Sequence, residues 1–238
     1  CHGTGRAITW QTPMIGHIAF KSANHNPVLS GWSCYMPRLV GAIAPLGDYV
    51  LADAAIAHPK RYAEETWKLP EVIVVWGNEP LASNADGYLG HWLAYCVLMG
   101  SKVISVDPRL TWWGARADYF LQLRPGTDAA LACAWLQVVT SEDLVDHEFI
   151  SCWCAGYEEL VESVKDFTPE WAAEITGVPA EDIRGAARLY ASGNHSTIQW
   201  GLANDQQLGA MATNLAHCDL MAICGNLDQP GGNILVHN

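Results

Sequence analysis

The sequence predicts an α/β protein built around parallel strands, and three observations carry that reading. Short apolar, β-branched runs end abruptly in Gly, Asn or Asp, as in Val103-Ile104-Ser105-Val106-Asp107-Pro108-Arg109. Each run alternates with a stretch of helical spacing. The turn Arg124-Pro125-Gly126-Thr127-Asp128 passes straight into such a stretch. Strands that alternate with helices need right-handed crossovers, and the carboxyl ends of all strands then share one edge, where ligands of such sheets collect.

The elements follow in order. Residues 1–47 are rich in Gly, Pro, Asn, His and Ser and read as loop that carries sites. Residues 48–66 read as a helix capped by Asp48. Glu71–Trp76 is a buried strand stopped by Gly77-Asn78-Glu79-Pro80. A helix spans Asp86–Met99, with Gly100 as its C-terminal cap. Lys102–Val106 is the next strand, Trp112–Ala117 a short helix, and Tyr119–Leu123 a third strand. The helix Thr127–Val139 closes this unit. Short helices follow at Asp146–Cys152, Tyr157–Val164 and Pro169–Ile175. A longer one runs over Pro179–Ala191, with Pro179 suited to its first turn. Ser196–Trp200 returns as a strand ending at Gly201. Gln206–Cys224 is a helix stopped by Gly225-Asn226 and then Pro230-Gly231-Gly232.

Composition narrows the class. The chain has 238 residues, 50% hydrophobic and only 16% charged, which is enough for one large domain or two modest ones. Low charge with 11 Trp points to surface covered by other protein or by a large ligand. A net charge of −12 argues against nucleic acid, whose phosphates attract basic faces. No apolar run is long enough to span a membrane. The start, Cys1-His2-Gly3-Thr4-Gly5-Arg6, has no signal-peptide pattern and no initiating Met, so a longer parent protein is expected. None of the 8 cysteines forms a Cys-x-x-Cys pair, which argues against a zinc ribbon or an iron–sulfur cluster in this stretch. Cys96, Cys133, Cys218 and Cys224 read as buried thiols, and Cys152 and Cys154, flanking Trp153, likewise.

The strand ends carry the chemistry. An acid there suits sugar hydroxyls, and Gly-Thr-Asp at a helix start suits a phosphate or a base edge, so one large nucleotide-bearing ligand is expected. Asp107 is equally a turn acid, since Asp-Pro is a common turn. Asp128 is equally a helix-start acid favoured by the dipole. Gly77 and Asn78 let backbone approach a phosphate, or simply end a strand. Arg109 and Arg124 could neutralise pyrophosphates or form surface ion pairs. No Gly-x-Gly-x-x-Gly follows the first strand, which counts against a nicotinamide dehydrogenase.

The ordered set of motifs resembles the molybdopterin oxidoreductases of the dimethyl-sulfoxide-reductase type. It comprises Trp76-Gly77-Asn78-Glu79-Pro80, Val106-Asp107-Pro108-Arg109, Ala117-Asp118 and Arg124-Pro125-Gly126-Thr127-Asp128. It continues through Thr168-Pro169-Glu170-Trp171-Ala172 and Thr176-Gly177-Val178-Pro179. Gly201 with Gln206 and Gly209 follows, and Gly225-Asn226-Leu227-Asp228-Gln229-Pro230-Gly231-Gly232-Asn233 ends it. The resemblance implies two Rossmann-like α/β domains, one inserted into the other. Residues 1–69 and 141–238 would form the first and 70–140 the insertion.

The resemblance also implies two molybdopterin guanine dinucleotides holding molybdenum or tungsten, with an iron–sulfur cluster supplied outside this stretch. Asp107 would face ribose or guanine, and Asp128 would read guanine. Gly77, Asn78, Glu79, Arg109, Arg124 and Gly126 would line the same cofactor. Gly201, Asn204 and Gln206 would face the other pterin or its phosphates, unless Gln206 only starts a helix. Cys34 falls where the family places its protein ligand to the metal, a soft thiolate suited to a dithiolene-held ion, with Ser33 the alternative. Cys34-Tyr35-Met36-Pro37-Arg38 is similar to the branch that holds acetylene hydratase, pyrogallol transhydroxylase and catechol dehydroxylases. His25 and Arg38, with His2, Arg6 and Tyr35 behind them, are candidates for proton transfer or substrate contact. Trp10 and Trp32 are candidate pocket walls. The implied activity is oxygen-atom or hydroxyl transfer, or reductive removal, on a small molecule with an iron–sulfur electron partner. The rivals are a non-redox hydratase or transhydroxylase and a non-catalytic relative within a larger complex.

Overall fold

The computed structural model describes residues 18–21, 36–56, 58–83 and 87–235. Cys34, Ser33, His25, His2, Arg6, Tyr35, Trp10 and Trp32 lie outside the described residues. Within them the elements are α1 (Met36–Leu46), β1 (Val50–Ala52), β2 (Val72–Trp76), α2 (Pro80–Ser83), α3 (Tyr88–Leu98), β3 (Lys102–Val106), β4 (Tyr119–Leu121) and α4 (Asp128–Ser141). They continue as α5 (His147–Trp153), α6 (Tyr157–Val164), α7 (Pro169–Thr176), α8 (Ala180–Ser192), β5 (Thr197–Trp200), α9 (Ala210–Ile223) and β6 (Asn233–Leu235).

Four parallel strands form one sheet in the order β4-β3-β2-β5. Every residue of the central strand β2 is buried. Its side chains alternate between faces, as the period of two requires. Val72, Val74 and Trp76 enter a large core with Ile104, Val106, Ile198 and Trp200, closed by α4, α7, α8 and α9. Ile73 and Val75 enter a smaller core with Val103, Trp92, Leu93, Cys96 and Trp113. A sheet covered on both faces reads as continuous apolar runs, which is why these strands were legible. The sheet crosses the expected boundaries of the 70–140 unit: β5, from the later part of the chain, pairs with β2 in register Trp76↔Trp200.

Local chemistry fixes the helix ends. The Thr168 hydroxyl accepts from the Trp171 N–H at 3.2 Å, Pro169 fills the first turn, and Gly177 at φ 79° closes α7. Asp146 accepts from the Phe149 N–H at 2.8 Å and starts α5. The run Gly225–Asn233 seals the free side of β5. Asn226 Oδ1 accepts from the Ser196 N–H, while Asn233 Oδ1 accepts from the Ile198 N–H and its Nδ2 donates to the Ile198 carbonyl.

Three expectations are corrected. Residues 48–66 are not a helix. They hold β1, which pairs antiparallel with β6, and a single 3₁₀ turn at Arg61–Ala63. Buried Asp53 accepts from the N–H groups of Ala55 and Gly231, and this tertiary tie outweighs helical propensity. Within 1–47, α1 is helical because it packs on α9. Gly41 makes the approach possible, since a Cβ there would lie 2.8 Å from Asn214 Cβ. Cys152 is exposed and Cys133, Cys154 and Cys224 half-buried, whereas Cys96 and Cys218 are buried as expected.

Candidate functional site

The carboxyl edge of the sheet gathers most of the described candidate residues. The ladder runs one residue past the strands. The Gly77 N–H donates to the Val106 carbonyl at 2.8 Å, and the Gly201 N–H donates to the Trp76 carbonyl at 2.9 Å. Gly77 sits at φ +58°, a conformation that favours glycine. A Cβ on Gly201 would lie 2.4 Å from the Gly77 carbonyl oxygen and 2.8 Å from Asn78 Cβ. These two strand ends therefore touch backbone to backbone. Ala203 Cβ, 2.8 Å from where a Cβ on Gly77 would stand, packs against the same crossing.

Above that crossing sits Asn204, held by the 3₁₀ turn Leu202–Asn204 and fully buried. Neither its amide nitrogen nor its amide oxygen has a hydrogen-bond partner among the described residues. Its Oδ1 lies 3.0 Å from where a Cβ on Gly77 would stand. Both carboxylate oxygens of Glu79 are likewise buried without a partner there. Burying such a group unpaired costs about 1–3 kcal/mol, more when it is charged. A side chain with donors and acceptors to spare beside a bare glycine turn fits a polar ligand with both donor and acceptor atoms. Asn78 is half-buried and accepts a long 3.4 Å bond from the Ser83 hydroxyl. Gln206 is exposed in the following turn.

The two acids also meet here. Asp107 ends β3 and is buried. Its Oδ1 accepts from the Arg109 N–H at 2.8 Å and from Arg109 Nε at 3.4 Å, so its turn role is real. Asp128 opens α4 and is buried too, with its Oδ1 accepting from Trp76 Nε1 at 2.8 Å. Burial pushes the Asp128 carboxyl above the usual range. The hydrogen bond from Trp76, the nearby Gln207 amide and its own helix start oppose this, and the nearby Asp107 charge adds to it. The Thr127 hydroxyl donates to the Arg124 carbonyl and accepts no capping bond from the N–H groups of α4. Gly126, at φ +84°, makes that turn.

The arginines divide their duties. Arg124 Nη1 donates to the carbonyls of Glu174 and Ile175 at 2.8 and 2.9 Å, at the last turn of α7. Arg38 donates to Asp205 Oδ2 at 2.6 Å, and its guanidinium lies 5.0 Å over the Trp200 ring. Arg109 remains largely exposed. Arg124 and Arg38 thus have protein partners, and anion contact at this edge falls more to backbone and amide groups.

Behind the edge lies a layer that sequence reasoning missed. Trp200 Nε1 donates to Asn214 Oδ1 at 2.8 Å, and Asn214 Nδ2 donates to Asp205 Oδ1 at 3.3 Å, completing a buried chain to Arg38. His217 is fully buried between Trp76 (centroids 4.5 Å apart) and Trp200 (5.6 Å), both edge-on. Neither ring nitrogen has a partner among the described residues. Burial, with Arg38 nearby, pushes its pKa down to about 3, so it is neutral. The available signal was Asn214 and His217 three residues apart on a mostly apolar helix whose other polar residues are Thr213 and Asp219. No group of three or more His, Cys, Asp or Glu side chains that could hold a metal ion occurs among the described residues. No helix among them is long and apolar enough to cross a membrane.

No family model matches the chain. It is 42% identical over 127 residues to acetylene hydratase of Syntrophotalea acetylenica, covering 53% of this chain and 17% of that protein. It is 31% identical over 233 residues to dimethyl sulfoxide reductase DmsA of Haemophilus influenzae, covering 84% and 28%. It is 35% identical over 164 residues to formate dehydrogenase H of Escherichia coli, covering 69% and 23%. Among solved structures, acetylene hydratase from Pelobacter acetylenicus superposes with TM-score 0.76 at 32% identity, over 86% of this chain and 26% of that one. The chain spans between 17% and 28% of the length of these relatives.

Proposed function

The chain belongs to the molybdopterin oxidoreductases of the dimethyl-sulfoxide-reductase type, and on that premise we propose that it is the dinucleotide-gripping part of an enzyme carrying two molybdopterin guanine dinucleotides. The observation that carries the proposal is the carboxyl edge. Two glycine strand ends in backbone contact, a buried Asn204 with its whole amide to spare, and two buried acids stand together there. When bound, the cofactor pair supplies a molybdenum or tungsten centre able to move an oxygen or hydroxyl group on a small substrate.

The chain's own residues then have defined tasks. The turn shaped by Gly77 and Gly201 would present backbone groups to phosphate or pterin, and Asn204 and Asn78 would donate to the oxygens. Asp107 accepts from ribose hydroxyls or guanine, and Asp128 accepts from the N–H groups of a guanine edge. Cys34 is proposed as the thiolate ligand to the metal, with His25 holding or moving a proton nearby. Arg38, fixed by Asp205, is proposed to contact the substrate or pass it a proton. The division into 1–69 with 141–238 and 70–140 is kept as a proposal for how two cofactor halves share the chain. An electron-transfer iron–sulfur partner completes the redox reading. A second reading, a non-redox hydratase, is favoured by the similarity to acetylene hydratase in both sequence and structure.

The test is guanine selectivity in full-length, cofactor-free protein. GDP is expected to bind at least about tenfold more tightly than ADP. Asp128→Asn should remove that preference, because a charge-assisted hydrogen bond contributes about 1.5–3 kcal/mol. Equal affinity for GDP and ADP in the unaltered protein overturns the assignment.

A further inference from the structure

Trp76 is the last residue of β2 and is fully buried. Its ring is clamped edge-on by Trp135 at 5.4 Å and by His217 at 4.5 Å. The indole plane therefore has one orientation, and its N–H points at Asp128 Oδ1, 2.8 Å away. Three other buried indoles, those of Trp92, Trp113 and Trp135, leave their N–H groups without partners among the described residues. The core thus tolerates an unpaired indole, and the bond from Trp76 to an acid at the sheet edge is not forced by burial alone.

We propose that Trp76 is a positioning residue for guanine recognition, its indole N–H pinning Oδ1 of Asp128 so that the carboxylate meets a guanine edge as a fixed acceptor. This rests on the assignment of Asp128 to guanine made above. The groups that face Asp128 are Asp107 from the end of β3, Gln207 from the turn before α9, Trp76 from β2, and the backbone of its own helix start. Asp107 and burial favour the neutral acid, and the others favour the carboxylate. A neutral carboxylic acid keeps one oxygen as a donor and cannot accept from both guanine N–H groups. The indole N–H thus serves orientation and charge together.

Trp76→Phe keeps an aromatic ring between Trp135 and His217 and removes the N–H together with the second ring of the indole. A second form replaces Trp76 by benzothienylalanine, which preserves the bicyclic shape with sulfur in place of N–H, so a folding defect of the first leaves the test intact. Two readouts are taken on full-length, cofactor-free protein. The first is the infrared carboxylate band of ¹³C-labelled aspartate, assigned to Asp128 by its loss in Asp128→Asn, followed against pH without ligand. Both replacements should move its protonation to higher pH. The second is GDP affinity, which should fall about tenfold in both replacements, the loss growing as pH is lowered. An unmoved band, or a GDP affinity unchanged by both replacements, overturns the positioning role. A moved band together with no preference for GDP over ADP in the unaltered protein supports the Trp76–Asp128 link and overturns the guanine assignment alone.

Discussion

His217 shows how one buried side chain records its surroundings. Its imidazole lies between two indoles with no hydrogen-bond partner among the described residues, and burial holds its pKa near 3 against an ordinary 6.5. Between those values the unfolded chain binds a proton that the folded chain refuses, so folding stability falls as pH drops below about 6.5. The loss amounts to about 2 kcal/mol at pH 5. His217→Phe removes it. Urea unfolding should therefore find the variant closer to the unaltered protein, or above it, at pH 5 than at pH 7.5. A stability difference that is the same at both pH values contradicts a neutral buried imidazole. The sequence did not single out His217, because a lone His among the apolar residues of a helix has the same local signature whether it fills space or holds a site. Trp76 was equally opaque: its residue type announces a core position, and only the fold shows that its N–H ends at Asp128.

The strand end is the element on which the site depends. Gly201 has no positive φ, so its need for glycine is one of space, with the Gly77 carbonyl 2.4 Å from a would-be Cβ. Gly126 is the reverse, with nothing within 4 Å of a Cβ but φ at +84°. Gly201→Ala should cost more than about 2 kcal/mol, because strand-end backbone cannot yield without breaking ladder bonds. Gly126→Ala should cost about 1 kcal/mol, the conformational penalty alone. Equal costs in urea unfolding would mean that the two strand ends do not touch. Strands β2 and β3 and helix α6 were legible nearly to the residue, since apolar runs and helical spacing are local signals. What was not legible is held by distant partners. β1 exists because β6 pairs with it, and α1 exists because Gly41 admits Asn214 of α9. The Thr168-Pro169 and Gly225–Asn233 runs carried the family resemblance, and their visible work is to cap α7 and to seal β5.

At the scale of the whole molecule, a chain of net charge −12 is assigned two large organic anions. The balance is local. Arg38 is spent on Asp205 and Arg124 on the end of α7, so the edge offers oriented amides, backbone N–H groups and Arg109 in place of a basic patch. Such fixed dipoles bind phosphate without a net positive surface. Under the proposed assignment two acids can face the ligand, because guanine and ribose would present donors to them. Full-length protein from a host that makes the cofactor can be assayed for molybdenum and tungsten by mass spectrometry, and for nucleotides released by mild acid. The account predicts two guanine nucleotides for each metal atom. Metal-free protein that releases none, or metal accompanied by a different base, would contradict it.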